Sequence, residues 1–137
     1  MEVKEKNVFW NKEAKRALAV AEDLFRLKRY VEALFFGHLA LEKLLKAKII
    51  KVTKSDPIYS HDLVILAKYA GLILDRDDVS FLARVNIYNI RARYQDYKRS
   101  LSKRADKEFT NEELSKIKKF FHKINDKTKH KTNSQKI

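Results

Sequence analysis

YVEALFFGHLALEKLLKAKIIKV, residues 30–52, is the stretch whose reading decides the fold. Its apolar residues cover most of the circumference of a helix. A helix apolar nearly all round has to be covered on more than one side, either at the centre of a bundle or against a second subunit as well. The polar exceptions are therefore informative. His38, Glu42 and Lys46 follow one another at steps of four and line one strip. That strip reads either as an ordinary exposed Glu–Lys ladder or as part of a site.

Working outward, residues 8–28 carry Trp10, Ala14, Ala17, Leu18, Ala21, Leu24 and Phe25 at steps of three and four, which make one buried stripe. A break at Lys28-Arg29 separates the two helices. On the other side, residues 53–61 form a loop, because Pro57 disfavours helix in Asp56. A short helix follows, with Ser60 as its N-cap and Leu63, Leu66, Ala67 and Ala70 inward, until Gly71 stops it. A fourth helix spans about residues 77–93, opening on acids and burying Phe81, Val85, Tyr88 and Ala92. Residues 94–109 are polar and read as including an irregular stretch. Thr110 and Glu113 then form a capping box ahead of a fifth helix with Leu114, Ile117, Phe121 and Ile124 inward. Beyond Asp126 the basic run reads as a disordered tail. The expected organisation is one all-α, up-and-down bundle of four to five helices over residues 1–126, with a basic tail at 127–137.

Composition supports this reading. A chain of 137 residues, 45% hydrophobic, is sized for a single core. Two glycines and one proline leave few tight turns, which favours helices over sheets. The absence of cysteine excludes disulfides, thiolate metal sites and a cysteine nucleophile, and the cytoplasm is the expected compartment. The charged N-terminus reads as neither signal peptide nor anchor, and no run approaches the roughly 18 apolar residues of a membrane span, so no membrane partner is expected. Abundant Lys, Arg, Asp and Glu fit a heat-adapted protein with surface ion pairs. The formal charge is +13, and residues 98–137 hold 13 basic and 5 acidic residues, net +8 of it. Such a field suits a polyanion such as RNA, and equally a solvated, lysine-rich surface.

Enzyme signatures are mostly missing. There is no Gly-rich phosphate loop, no Gly-x-Ser-x-Gly elbow and no histidine pair at metal-ligand spacing. His38, His61, His122 and His130 are scattered, so no metal and no cofactor are expected. His38, on a packed helix, reads as a hydrogen-bonded structural residue. The densest polar cluster, Asn86, Asn89, Arg91, Arg93, Tyr94, Gln95 and Asp96, ends the fourth helix. An arginine fork holds phosphate and tyrosine stacks on bases, which is the chemistry of a nucleotide contact. An Arg93–Asp96 salt bridge that ends the helix accounts for the same residues, and both readings stay open.

Tyr30-x-x-Ala33, His38-Leu-Ala-Leu-Glu42-Lys43-Leu-Leu-Lys46-Ala47, Pro57, Ser60-His61-Asp62-Leu63-x-x-Leu66 and Asn89-Ile-Arg91-Ala-Arg93-Tyr94-Gln-Asp96 together resemble the HEPN domain (higher eukaryotes and prokaryotes nucleotide-binding) over about residues 8–125. The resemblance implies a helical bundle that commonly dimerises. It also implies frequent association with a minimal nucleotidyltransferase in toxin–antitoxin or related modules. Many such proteins are metal-independent RNases that rest on an arginine followed after about four to six residues by histidine. Here neither Arg91 nor Arg93 is followed by that histidine, and the place is taken by Arg93-Tyr94-Gln95-Asp96. Without imidazole, acid–base cleavage loses the group best matched to neutral pH. The Arg-Tyr-x-Asp form resembles the branch that partners nucleotidyltransferases.

These readings converge on a homodimeric, non-catalytic HEPN protein that binds nucleotide or RNA, or docks a minimal nucleotidyltransferase. Its expected site residues are Arg91, Arg93, Tyr94, Asp96, Asn86, Asn89, His38, Glu42, Lys46 and His61. The dimer is expected because residues 30–52 are too apolar for one small bundle to cover easily. Two rivals stand beside it: an RNase toxin with an atypical active site, and a structural interaction module with no dedicated ligand.

Overall fold

The computed structural model describes the backbone of residues 2–93 and 95–134 and the side chains of residues 2–89 and 99–125. Six helices follow one another among them: α1 (Val3–Arg26), α2 (Tyr30–Thr53), α3 (Leu63–Tyr69), α4 (Arg76–Arg93), α5 (Gln95–Arg104) and α6 (Lys107–Ser134). None of them is long and apolar enough to cross a membrane.

The chain leaves α1 through a Schellman turn. The Arg29 amide reaches the Leu24 carbonyl at 2.8 Å and the Lys28 amide reaches Phe25 at 3.0 Å, with Lys28 itself in the left-handed region at φ 62°. This turn folds α1 back along α2. Ala14, Ala17 and Ala21 are buried on the facing side, and their small side chains let the two helices approach closely.

α2 is the axis of the molecule. All five other helices pack on it, and residues from Val31 to Ile50 are buried on nearly every side. The chain's own helices thus supply the cover that its apolar circumference demands, and α2 gives no reason of its own to invoke a second subunit. The bundle thus has six helices among the described residues, five of them around α2, rather than four or five in all. The additional one is α5, which lies in the stretch expected to include irregular backbone and buries Leu101. At Gly37 the approach of α6 is close, since a Cβ there would stand 2.8 Å from Ile117 Cδ1 and 3.3 Å from Leu114 Cδ2.

Aspartates cap three of the helices. Asp62, not Ser60, caps α3, its Oδ1 accepting from Val64 N at 2.9 Å, while Ser60 Oγ accepts from Asp62 N at 3.1 Å. Gly71, at φ 75°, closes α3 as the sequence suggests. Asp75 and Asp78 exchange side-chain bonds with each other's backbone amides at the start of α4, a reciprocal capping box. α6 begins before the expected Thr110 cap, with Asp106 Oδ1 accepting from Phe109 N at 2.8 Å. Thr110 and Glu113 are consequently inside the helix, and both are buried. Asp is as good an N-cap as Thr, and Glu113 is engaged elsewhere. The backbone helix continues to Ser134, past Asp126. The backbone of residues 127–134, expected as part of a disordered tail, is thus helical, while the side chains of residues 126–137 and the backbone of residues 135–137 lie outside the described residues.

Candidate functional site

His38, Glu42 and Lys46 do share one strip of α2, but the strip faces inward: the residues are 0%, 5% and 7% exposed. This overturns the exposed-ladder reading. Buried charges are costly unless paired and hydrogen-bonded, and here they are paired. Glu42 is the hub. Its Oε2 accepts from Lys46 Nζ at 3.1 Å and its Oε1 accepts from His61 Nδ1 at 2.9 Å. Lys46 Nζ also stands 5.5 Å from the centre of the Trp10 ring, a cation–π contact.

His38 is held at both ring nitrogens. Nε2 lies 3.0 Å from the His61 carbonyl, which can only accept, so Nε2 carries the proton. Nδ1 then accepts from the Asn89 side-chain amide at 3.2 Å. Burial pushes this imidazole below its ordinary pKa, and the nearby Glu42 carboxylate offsets that only in part. The ring is therefore neutral and structural.

The Ser60–Leu63 segment is bound to this strip from the other side. Asn86 of α4 accepts from Leu63 N at 2.9 Å through Oδ1 and donates through Nδ2 to Asp62 Oδ1, also at 2.9 Å. One polar network thus joins α2, the start of α3 and α4, and it gathers His38, Glu42, Lys46, His61, Asn86 and Asn89 from the expected set. Asp62 belongs to it as well. It was read only as part of a sequence block, although an acid before a short helix is itself a capping signal.

His61 is the network's outlet. Its ring is 46% exposed and lies edge-on to Tyr59, with 5.7 Å between ring centres. Glu42 fixes the Nδ1–H tautomer, which leaves the Nε2 lone pair as the basic nitrogen of a half-exposed imidazole.

A second cluster, which the sequence reading missed, ties α4 to α6. Glu113, almost fully buried, accepts from Arg84 Nε at 2.7 Å and Nη2 at 3.2 Å, a bidentate pair, and from the Tyr88 hydroxyl. Burial alone would raise the Glu113 pKa, but the hydrogen bonds from Arg84 and Tyr88 outweigh it and hold the carboxyl below its usual range. The Tyr88 phenol is pushed well up, by burial first and then by Glu113. The spacing of Arg84 and Tyr88, four apart on one helix, was the available signal.

The backbones of Arg91 and Arg93 lie in the last turn of α4 and that of Asp96 in the first turn of α5. Their side chains, and Tyr94 altogether, lie outside the described residues, as does the alternative Arg93–Asp96 salt bridge.

No curated protein and no solved structure matches the chain significantly. The blocks that build the network, residues 38–47, 60–66 and the end of α4, are the ones that carry the HEPN resemblance. A family model described as the HEPN domain matches residues 8–130, so the chain belongs to the HEPN family, with the general nucleotide- or RNA-related role that membership carries.

Proposed function

We propose that this chain is a non-catalytic HEPN protein that binds the phosphates of nucleotide or RNA, either alone or as the substrate-binding partner of a minimal nucleotidyltransferase. The observation that carries the reading is the enclosure of His38. With both ring nitrogens occupied and no exposed surface, it holds the Ser60–Leu63 segment in place and has no open position from which to move a proton. The group best suited to acid–base work on α2 is committed to the fold, while the cationic surplus favours anion binding. Arg91 and Arg93, at the end of α4, are the proposed phosphate contacts. Replacing either by alanine should weaken binding of single-stranded RNA and lower the slope of log K against log salt by about 0.7 for each lost contact. Unchanged affinity and slope in both variants would remove the cluster from the site.

The proposed homodimer now draws support from exposed apolar side chains instead of α2: Ile65 and Tyr69 on α3 and Ile73 just beyond it. Light scattering at micromolar concentration tests it, and a strictly monomeric mass would remove it.

One observation favours the RNase alternative. His61 is half-exposed and oriented by a buried carboxylate, the arrangement of an imidazole base. Cleavage of RNA in the presence of a chelator, lost in His61→Ala, would establish that reading in place of the first.

A further inference from the structure

A cleft of about 460 Å³ lies between α1, α2 and α6. Lys12 and Lys15 of α1 and Lys48 and Lys51 of α2 line it, together with the apolar side chains of Leu44 and Ile124. Each lysine pair is one helical turn apart, so like charges stand next to each other along both walls. No carboxylate is among the described lining residues. Lys12, Lys15 and Lys51 are also in no ion pair with any described residue.

The contrast with the groove between α4 and α6, of about 470 Å³, is decisive. There Arg84 and Lys116 answer to Glu113, and Lys123 stands 3.7 Å from Asp78. In that groove every cation but Lys119 has a carboxylate of the fold beside it. In the lysine cleft Lys12, Lys15 and Lys51 have no such carboxylate among the described residues, and an anion relieves the repulsion between them. Lysine suits phosphate as a mobile point charge. The cleft is within the size range of small-molecule sites, and its apolar lining gives a nucleoside a surface to rest on.

We infer that this cleft binds a run of linked phosphates carried on a nucleoside, either a free nucleoside polyphosphate or the triphosphorylated 5′ end of an RNA. The class of ligand rests on the phosphate-binding reading above. The place does not, since it is separate from the cluster at the end of α4.

The test uses the full chain and calorimetric titration with ATP, inorganic triphosphate, and matched RNAs bearing a 5′-triphosphate or a 5′-hydroxyl. Lys12→Glu with Lys51→Glu is the variant, and both side chains are exposed, so helix content and melting should stay as in the parent. Lys103→Glu with Lys107→Glu makes the same change of net charge away from the cleft. The cleft variant should lose at least tenfold in affinity for ATP and triphosphate while the control variant loses much less. ATP competing with the 5′-triphosphate RNA, but not with the 5′-hydroxyl RNA, would point to the RNA end as well as the free nucleotide. Equal losses in the two variants, or none in either, would overturn the cleft and leave the broader reading standing. A parent protein that binds neither ATP nor any RNA would overturn both.

Discussion

Thr110 is buried in α6, and its hydroxyl has no hydrogen-bond partner among the described residues. As an N-cap it would contribute about 1 kcal/mol, and Thr110→Val would cost that much. Inside the helix, valine instead removes an unsatisfied buried hydroxyl at nearly constant volume, so stability should rise by about 1 kcal/mol. Denaturant titration of the two proteins reads the sign directly. His38 makes a second prediction. Its folded pKa is lowered from 6.5, so as the pH falls below that value the unfolded chain takes up the proton first. The His38 contribution is complete above pH 6.5 and is lost as the pH falls from there to the folded pKa. Melting temperature should drop across that window, and His38→Gln should flatten the drop. An equal slope in both proteins would show that the ring is not the buried neutral group described. The structural role of His38 was legible in the sequence. The burial of Glu42 and Lys46 was not, because steps of four look the same whether the strip meets water or a loop that arrives 19 residues later.

At the level of elements, apolar periodicity was enough to place α1 to α4 and most of α6. It failed where an element carries few apolar residues, as in α5, whose described part buries little besides Leu101. Caps were displaced for a different reason. Ser60, Asp62, Asp106 and Thr110 are all acceptable N-caps, and the choice among them is made by tertiary partners: Asn86 draws in Asp62, and Arg84 with Tyr88 draws Glu113 inward. Gly37 is the element-scale prediction. It looks unremarkable in sequence, yet it marks a close approach of α6 to α2, against a side chain that is itself fully buried. Gly37→Leu should destabilise the protein by about 1–3 kcal/mol through overpacking, despite the better helix propensity of leucine. Thermal or chemical melting checks it, and a gain in stability would mean that the crossing is looser than described.

Across the whole molecule, five helices wrap one apolar axis and a polar network closes one side of it; the surplus positive charge is the part that the proposed function puts to use. The fold class could be read from residues 30–52 and from the scarcity of glycine and proline. The lysine cleft could not, since Lys12 and Lys15 meet Lys48 and Lys51 only after the α1–α2 hairpin has formed. The site at the end of α4 rests on residue types alone. The central claim is that this charge holds phosphate without cutting the chain that carries it. Fluorescence anisotropy of end-labelled single-stranded RNA, mixed with the full-length protein at low salt in the presence of a chelator and followed over time, tests binding and cleavage together. The account predicts a rise that stays constant and reverses to the free-RNA value when salt is raised. No rise, or a rise that decays below the free-RNA value as labelled fragments accumulate, would contradict it.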